Sequence, residues 1–275
     1  MSASSPRRKS SRKAEPKSTR STAAETTGAA FAVVASKGRT PPSSDADAWA
    51  ARVAEEKPVR YIIQNLEHAY GIPVNRRVAG QSDPLDMLVQ IILSQATSDT
   101  NSERTFAALK KRFPDWDSVL RAREGTLADT IRSGGLANQK AAVIREVLRQ
   151  IKLEHGTFDL FFLHDAPTEE AMQYLSQFRG IGPKTVACTL LFACHKNVFP
   201  LDTHIFRVLR RVGLIPEKCT DRRAHEIMSR LVPDGKFYSF HVNLIRHGRK
   251  LCRPREPLCE QCPVVEYCDY GQAFV

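Results

Sequence analysis

Residues 175–187 read LSQFRGIGPKTVA, so two helical patterns flank a turn that contains two glycines. We expect the first helix to end at Phe178 and the second to begin near Pro183 and to run to Cys194. Glycines allow a tight turn and a close approach to a ligand, and the free amide groups at the start of a helix attract an anion. An ordinary turn between two helices is the alternative. The Lys-Thr pair and the long apolar helix that follow favour an anion site, with nucleic-acid phosphate as the anion.

The chain after residue 46 shows apolar residues at helical spacing nearly throughout. Between Leu85 and Ile92 they fall at positions i, i+3, i+4 and i+7, and the preceding Asp83 and Pro84 supply an N-cap and a proline at the first helical position. Alternating apolar and polar residues, which are typical of strands, form no run of convincing length. The sequence therefore predicts an all-α fold with roughly ten helices.

The charge of the chain indicates a polyanionic partner such as nucleic acid. The 275 residues include 41 Lys and Arg and 30 Asp and Glu, which gives a net charge of +11. Residues 1–45 hold nine basic and three acidic side chains and therefore contribute +6, while the rest of the chain contributes +5. We expect residues 1–45 to be a disordered basic tail that attracts phosphates, with a solvated extension of no role or an organellar transit peptide as alternatives.

Lys184 and Asp202 form the second candidate feature, because a lysine in the first turn of a helix lies at the positive end of the helix dipole, which favours the neutral amine. A neutral amine is a nucleophile, and a nearby carboxylate stabilises positive charge or transfers protons. The pair therefore suggests Schiff-base chemistry on a sugar carbon. The alternative is that Lys184 only contacts phosphate and that Asp202 only caps the helix predicted over Thr203–Val212.

Four of the seven cysteines lie in the last 24 residues with the spacing C-x6-C-x2-C-x5-C, and they are Cys252, Cys259, Cys262 and Cys268. Because no secretory signal is recognisable, we expect a reducing compartment, where clustered thiols favour a metal centre over disulfides. Zinc ribbons usually pair two C-x2-C knuckles, and this chain has one. A [4Fe–4S] cluster is therefore a better interpretation than a four-cysteine zinc site.

The residues between the first two clustered cysteines, and the cysteines outside the cluster, have separate interpretations. The short loop between Cys252 and Cys259 presents Arg253 and Arg255, which suits a phosphate clamp. Cys188 and Cys194 lie on the apolar helix, and we expect them to be core residues. That apolar stretch is about half the length that crosses a bilayer, which argues against a membrane-spanning role.

These features, in this order, resemble the endonuclease III family of helix-hairpin-helix (HhH-GPD) DNA glycosylases. The resemblance covers roughly residues 59–270. It rests on the hairpin FRGIGPKTVA, on VFPLDTHIFRV with its aspartate 18 residues after the lysine, on LIRHGRKLC, and on the cysteine spacing. The resemblance implies two helical domains with a DNA groove between them. A six-helix barrel domain would span residues 81–197 with the hairpin at about 165–194, and a cluster domain would join residues 55–80 to 198–275.

The resemblance also implies a role for each site residue. Lys184 would be the nucleophile that attacks C1′ of a damaged nucleotide, Asp202 the essential carboxylate, and the four C-terminal cysteines the ligands of a structural [4Fe–4S] cluster. Gln95, in LSQAT, would fill the gap left by a flipped-out base, and Leu136, in GLANQK, would wedge into the opposite strand. The further DNA contacts would be Gly180, Gly182, Thr185, His204, Arg253 and Arg255.

The implied enzyme is a bifunctional DNA glycosylase and abasic-site lyase of base excision repair that removes oxidised pyrimidines such as thymine glycol. Its partner would be double-stranded DNA with damaged bases or abasic sites, and we expect a monomer in the cytoplasm, at the nucleoid, or in an organelle or nucleus. Alternatives are a member tuned to mispairs or mainly to abasic sites, because the segment between Gln95 and Asp99 is one residue longer than in the best-known bacterial pattern, and a non-catalytic Fe–S protein that binds DNA.

Overall fold

The computed structural model describes residues 44–74, 82–123 and 125–274. The predicted basic tail, residues 1–45, lies almost wholly outside these residues. The described chain folds into α1 Ser44–Glu56, α2 Val59–Tyr70, α3 Pro84–Ser94, α4 Asp99–Arg112, α5 Trp116–Arg121, α6 Thr126–Thr130, α7 Ala137–His155, α8 Phe162–Asp165, α9 Thr168–Ser176, α10 Pro183–Cys194, α11 Thr203–Val212, α12 Asp221–Leu231 and α13 Phe237–Lys250. Short 3-10 helices span Arg132–Gly134, Cys259–Gln261, Val265–Tyr267 and Gly271–Phe274.

The all-α prediction is confirmed, because the regular elements of the described residues are helices. The predicted number of roughly ten was too low, since thirteen α-helices occur in the described residues. The difference comes from α5, α6 and α8, which have six, five and four residues. Such helices make at most two turns, and so few turns cannot display a repeating apolar stripe.

Helix α3 begins as its sequence predicts. The Asp83 carboxylate accepts hydrogen bonds from the amides of Leu85 and Asp86, at 2.8 and 3.3 Å, and Pro84 occupies the first helical position. These contacts satisfy amide groups that have no partner inside the helix. The apolar face of α3 is buried and packs against α4 and α10.

Helix α10 is buried almost completely around its circumference, because Thr185–Leu191, Ala193 and Cys194 are all inaccessible to solvent. It packs against α3, α8, α9 and α13. The continuous apolar run in its sequence is explained by these neighbours on every side. Cys188 and Cys194 are therefore core residues, as predicted.

The hairpin before α10 differs slightly from the prediction. Helix α9 ends at Ser176 rather than at Phe178, and the buried Phe178 ring belongs to the turn. Gly180 has a φ of +88°, and a Cβ atom added there would lie 2.8 Å from a methyl carbon of Val143 on α7. Both the left-handed backbone and the close approach require glycine at this position.

The C-terminal helices pack together with α2. Helix α13 contacts α2 and α11, and α1 contacts α12. Glu67 on α2 is buried, and its carboxylate accepts hydrogen bonds from the Lys236 ammonium at 2.8 Å and from the Ser239 hydroxyl at 2.6 Å. The division into two helical domains, with residues 81–197 in one of them, stays a prediction.

Membrane insertion finds no support in the helices that the structure describes, since none of them combines the length and the apolar character that a bilayer crossing requires.

Replacing the capping carboxylate tests how α3 is held. We expect Asp83→Ala to lower the free energy of unfolding by about 1 kcal/mol, because two amide groups lose their acceptor. Asp83→Asn is the matched control, since an asparagine oxygen still accepts these hydrogen bonds. Urea unfolding measures both variants. An equal loss of stability in the two would contradict the capping role.

Candidate active site

Four of the predicted site residues meet at one cavity, which we call the α3–α10 cavity. It has a volume of about 610 Å³ and is lined by residues from the ends of α3 and α4, from α10, from the loop before α11, and from α13. Among the lining residues are Gln95, Lys184, Thr185 and Asp202. The lysine and the carboxylate that the sequence pairs across 18 positions therefore share one site.

Lys184 is the second residue of α10. Its side chain is exposed where it lines the cavity. Gly182 is the N-cap, and no side chain satisfies the first amide groups of the helix there. A Cβ atom added at Gly182 would meet no other atom within 4 Å, so the backbone is open to a ligand on this side. The arrangement fits an anion site.

Asp202 caps a helix and also lines the cavity, so the structure is consistent with both of the roles that the sequence left open. Its Oδ1 accepts a hydrogen bond of 2.7 Å from the amide of Ile205, so it caps α11, which spans the predicted range Thr203–Val212. The half-buried carboxylate also lines the α3–α10 cavity. Capping fixes the orientation of this carboxylate, because the hydrogen bond ties one of its oxygens to the backbone.

Lys184 and Asp202 both influence the pKa values of two buried side chains in the cavity wall, Cys188 and His241. Burial raises the pKa of the Cys188 thiol to about 12, with Lys184 acting to lower it and Asp202 to raise it. Burial lowers the pKa of His241 to about 4, against the effects of Asp202 and of a hydrogen bond to Pro200, while Lys184 lowers it further. Both charged groups therefore act on the same two neighbours.

Gln95 and Thr185 are in contact at the edge of the cavity. The Gln95 amide nitrogen lies 3.4 Å from the Thr185 hydroxyl, a long hydrogen bond. Gln95 is exposed at the C-cap of α3, and the following Ala96 has a φ of +52°. The side chain is thus held at the mouth of the cavity without being packed into the core.

Leu136 lies outside the cavity lining. It precedes α7 with a left-handed φ of +49°, and 53% of the side chain is exposed. An exposed leucine in a strained backbone conformation is unusual, because the left-handed region favours glycine. Its geometry is compatible with the predicted wedge.

Lys140 is a residue that the sequence reading missed. Only 2% of it is exposed, and its ammonium donates hydrogen bonds of 2.7 Å to the carbonyl oxygens of Leu93 and Gly134. Burial lowers its pKa. These two carbonyls stand two residues before Gln95 and Leu136, so one buried charge joins the two loops that carry the predicted DNA-inserting side chains. The only signal in the sequence is a lysine four residues after Leu136, which resembles any surface lysine of a helix.

The four C-terminal cysteines line a second cavity, together with His247 and residues of α11. The Arg211 guanidinium donates to the Cys252 sulfur at 3.4 Å, and the Gly271 amide donates to the Cys268 sulfur at 3.2 Å. Among the described residues, no three His, Cys, Asp or Glu side chains approach closely enough to hold a single ion. The thiols thus share one cavity at a wider spacing than one ion requires.

Arg211 holds the backbone of the loop after Cys252 through hydrogen bonds. Its guanidinium donates hydrogen bonds of 2.7 and 3.1 Å to the carbonyl oxygens of Arg253 and Pro254. The side chains of Arg253 and Arg255 are exposed. The loop therefore presents both arginines to solvent on a fixed backbone, as a phosphate clamp requires.

His204 lies on the first turn of α11. Its Nδ1 is 3.1 Å from the Arg207 guanidinium, and a Cβ atom added at Gly248 would be 2.9 Å from the Cβ of His204. Glycine in α13 thus allows α11 to approach closely. His204, Gly180, Gly182 and the two arginines lie outside the lining of the α3–α10 cavity among the described residues.

Comparison with known proteins places this site in a class. A family model described as HhH-GPD superfamily base excision DNA repair protein matches residues 89–234. An Arabidopsis thaliana protein that carries the name DNA glycosylase is 37% identical over 195 residues, which cover 67% of this chain and 66% of the relative. The endonuclease III of Sulfolobus acidocaldarius is 31% identical over 185 residues, or 66% of this chain and 80% of the relative.

The fold also has solved counterparts. The structure of a trapped covalent intermediate between an endonuclease III and DNA matches with a TM-score of 0.64 at 19% identity, over 78% of this chain and 96% of that one. The fold and the site thus define a helix-hairpin-helix DNA repair enzyme. The chain belongs to the HhH-GPD superfamily of base excision DNA repair proteins. This confirms the expected family and the expected enzyme class, a DNA glycosylase.

The buried lysine gives a prediction about the two loops. We expect Lys140→Met to lower the free energy of unfolding by about 2 kcal/mol, because two buried carbonyl groups lose their donor. It should also weaken binding to a duplex that carries an abasic-site analogue, because the Gln95 and Leu136 loops lose their common anchor. Unfolding in urea and fluorescence anisotropy measure the two effects.

Lys111→Met is the control for this experiment, because Lys111 is an exposed residue near the end of α4. It should change neither measurement by more than about 0.5 kcal/mol. Unchanged stability of the Lys140 variant would show that its two hydrogen bonds do not hold the loops together.

Proposed function

We propose that this enzyme is a bifunctional DNA glycosylase and abasic-site lyase that removes oxidised pyrimidines, of the thymine glycol type, from double-stranded DNA. The observation that carries the proposal is the meeting of Lys184 and Asp202 at one cavity beside the open N-terminus of α10. The cavity volume of about 610 Å³ accommodates a flipped-out nucleotide.

The reaction begins with extrusion of the nucleotide, because its sugar carbon cannot be attacked inside the base stack. Damaged bases that stack poorly cost the least to extrude. The Lys184 amine then forms a bond to C1′ as the bond between C1′ and the base breaks. The departing base takes the electron pair of that bond and acquires a proton.

Asp202 stabilises the positive charge that builds up on the sugar as the base departs. Its capping bond to Ile205 holds it in place before the substrate arrives, so little reorganisation is needed during the reaction. The carboxylate would also accept and return the protons of the amine, since both groups line one cavity. A fixed orientation is what such a group contributes most.

The lyase step follows from the covalent bond. Opening of the sugar ring converts the adduct into a Schiff base, whose positive nitrogen acidifies the hydrogens on C2′. Loss of a C2′ proton expels the 3′ phosphate oxygen by β-elimination and breaks the strand. Water then hydrolyses the Schiff base and returns the free lysine.

The remaining site residues would hold the DNA. Gln95, at the mouth of the cavity, would fill the space of the extruded nucleotide, and the exposed Leu136 would wedge into the opposite strand. The backbone at Gly180 and Gly182 and the Thr185 side chain would bind phosphate at the N-terminus of α10. His204, Arg253 and Arg255 would extend the contact along the DNA backbone.

The lesion class is what the resemblance of the sequence motifs to the endonuclease III family implies, and two relatives carry the name endonuclease III. A separate solved structure of an endonuclease III is a trapped covalent intermediate with DNA, which is the kind of intermediate proposed here.

We also propose a structural [4Fe–4S] cluster held by Cys252, Cys259, Cys262 and Cys268. The four thiols line one cavity, and their spacing along the chain contains one C-x2-C knuckle where zinc ribbons usually pair two, which suits a cluster better than a zinc ribbon. The donors at the sulfurs of Cys252 and Cys268 suit thiolate ligands, because they offset negative charge. The group would supply the folding energy that orders the Arg253–Arg255 loop.

Borohydride trapping tests the reaction. We expect the wild-type enzyme to form a stable adduct with a thymine-glycol duplex and with an abasic-site duplex, because borohydride reduces the Schiff base. Lys184→Ala should bind both duplexes and form no adduct, whereas Lys111→Ala should trap like the wild type. Trapping of the Lys184 variant would exclude this lysine as the nucleophile. Trapping of the wild type on the abasic duplex alone would leave the lyase and contradict the lesion class.

Metal analysis tests the cofactor. Protein purified without oxygen should contain about four iron and four sulfide per chain. Cys259→Ser should lose most of both, whereas Cys219→Ser, which changes a cysteine outside the cavity, should retain them. Stoichiometric zinc in place of iron would refute the cluster.

A further inference from the structure

His241 is a buried polar side chain in the wall of the α3–α10 cavity. It lies on α13, and only 2% of it is exposed. Its ring packs edge-on against the rings of Phe192 and Phe199, with centroids 5.6 and 6.1 Å away. Aromatic contacts on this scale hold the imidazole plane in one orientation.

The hydrogen bonding of the ring fixes its tautomer. Nδ1 lies 3.0 Å from the carbonyl oxygen of Pro200. Because a carbonyl oxygen only accepts, Nδ1 carries the hydrogen, and Nε2 of the neutral ring is an acceptor. Burial lowers the pKa of His241 to about 4, so the neutral form prevails near pH 7.

Nε2 has no hydrogen-bond partner within residues 44–74, 82–123 and 125–274. Nε2 is not one of the fully enclosed side-chain atoms that lack a partner among the described residues, so it is open to the cavity, where a donor can reach it. Since His241 lines the cavity, a molecule inside the cavity can supply the missing donor. The side chain is therefore a fixed acceptor aimed at the proposed substrate.

The wall of the cavity is mixed, because polar side chains such as Gln90, Ser102 and Glu103 line it together with apolar ones. Ile91, Cys188, Phe192, Val242 and Ile245 line the same cavity, and the high pKa of Cys188 keeps its thiol uncharged. These apolar side chains can pack against the face of a base, while the fixed acceptor on His241 can hydrogen-bond one edge of it.

We propose that His241 Nε2 accepts a hydrogen bond from the N3–H group of the flipped-out base and so selects oxidised thymine and uracil derivatives over oxidised cytosines. The proposal rests on the proposed function, because it needs a base in this cavity. Thymine glycol carries a hydrogen on N3, whereas N3 of 5-hydroxycytosine is a lone pair that would face the lone pair of Nε2. A site built around one hydrogen bond discriminates against a partner that leaves its buried group unpaired.

His241 is on this account a specificity-determining residue that contacts the base and leaves the sugar chemistry to Lys184 and Asp202. An abasic site has no base for Nε2 to contact. The ratio of base excision to abasic-site cleavage therefore separates recognition from a structural role, because a distorted cavity would slow both reactions.

Two variants test the inference in single-turnover assays on thymine-glycol, 5-hydroxycytosine and abasic duplexes. His241→Asn keeps a donor near Nδ1 for Pro200 but has no atom near Nε2. It should excise thymine glycol about tenfold more slowly, the effect of one lost hydrogen bond, and cleave the abasic duplex within about twofold of the wild-type rate. His241→Gln places a side-chain amide near the position of Nε2. When this amide rotates, it presents either its acceptor oxygen or its donor nitrogen to the base. This variant should excise the two oxidised bases at similar rates.

The outcomes are distinguishable from failure of the proposed function. Wild-type enzyme that cleaves abasic duplexes and excises neither oxidised base overturns both the proposed lesion class and this inference, without any variant. Wild-type enzyme that excises both bases equally overturns the inference alone. Equal slowing of all three substrates in His241→Asn, with an unchanged melting temperature, assigns the residue to positioning and overturns base recognition.

Discussion

The burial of α10 on nearly all sides is the constraint on which the site depends. A helix enclosed by α3, α8, α9 and α13 cannot turn or slide without opening voids in a close-packed core. Its first turn is therefore fixed with respect to its surroundings. That first turn carries Lys184 and Thr185 and leaves unsatisfied amide groups behind Gly182, so the rigidity of the core extends directly to a reactive amine and an anion site.

In this rigid site, a single polar group can serve both the fold and the proposed chemistry. Asp202 begins α11 and faces the cavity, so the same hydrogen bond stabilises the fold and orients the carboxylate. The two glycines of the hairpin are needed for different reasons. Gly180 is required by its left-handed backbone and by Val143 behind it, whereas Gly182 has open space before it. One glycine meets the demands of folding, and the other gives access to the backbone.

Local sequence patterns predicted the helices and caps whose signals lie within one turn, such as Asp83 before α3 and Asp202 before α11. The sequence suggested pairing Lys184 with Asp202, and the resemblance to the endonuclease III family gave each residue its expected role. Sequence patterns failed for Lys140 and His241, because periodicity tells which face is buried but not which distant atoms meet a polar group on that face. Lys140 joins carbonyls 47 and 6 residues away, and the His241 contact to Pro200 spans 41 residues. Such contacts exist only once the chain is folded.

Helix α7 links two features that are separate in function. It begins directly after Leu136, and Val143 on it packs against Gly180 of the hairpin. Leu136 and Val143 are seven positions apart, which corresponds to about 10 Å of helix. The hydrogen bonds along the helix axis keep this length constant. In the proposed complex, α7 thus fixes the distance between Leu136, which would wedge into the DNA, and the hairpin at Gly180, which would bind phosphate. Its fixed length, about three base-pair steps of one strand, would set the distance along the DNA between these two proposed contacts.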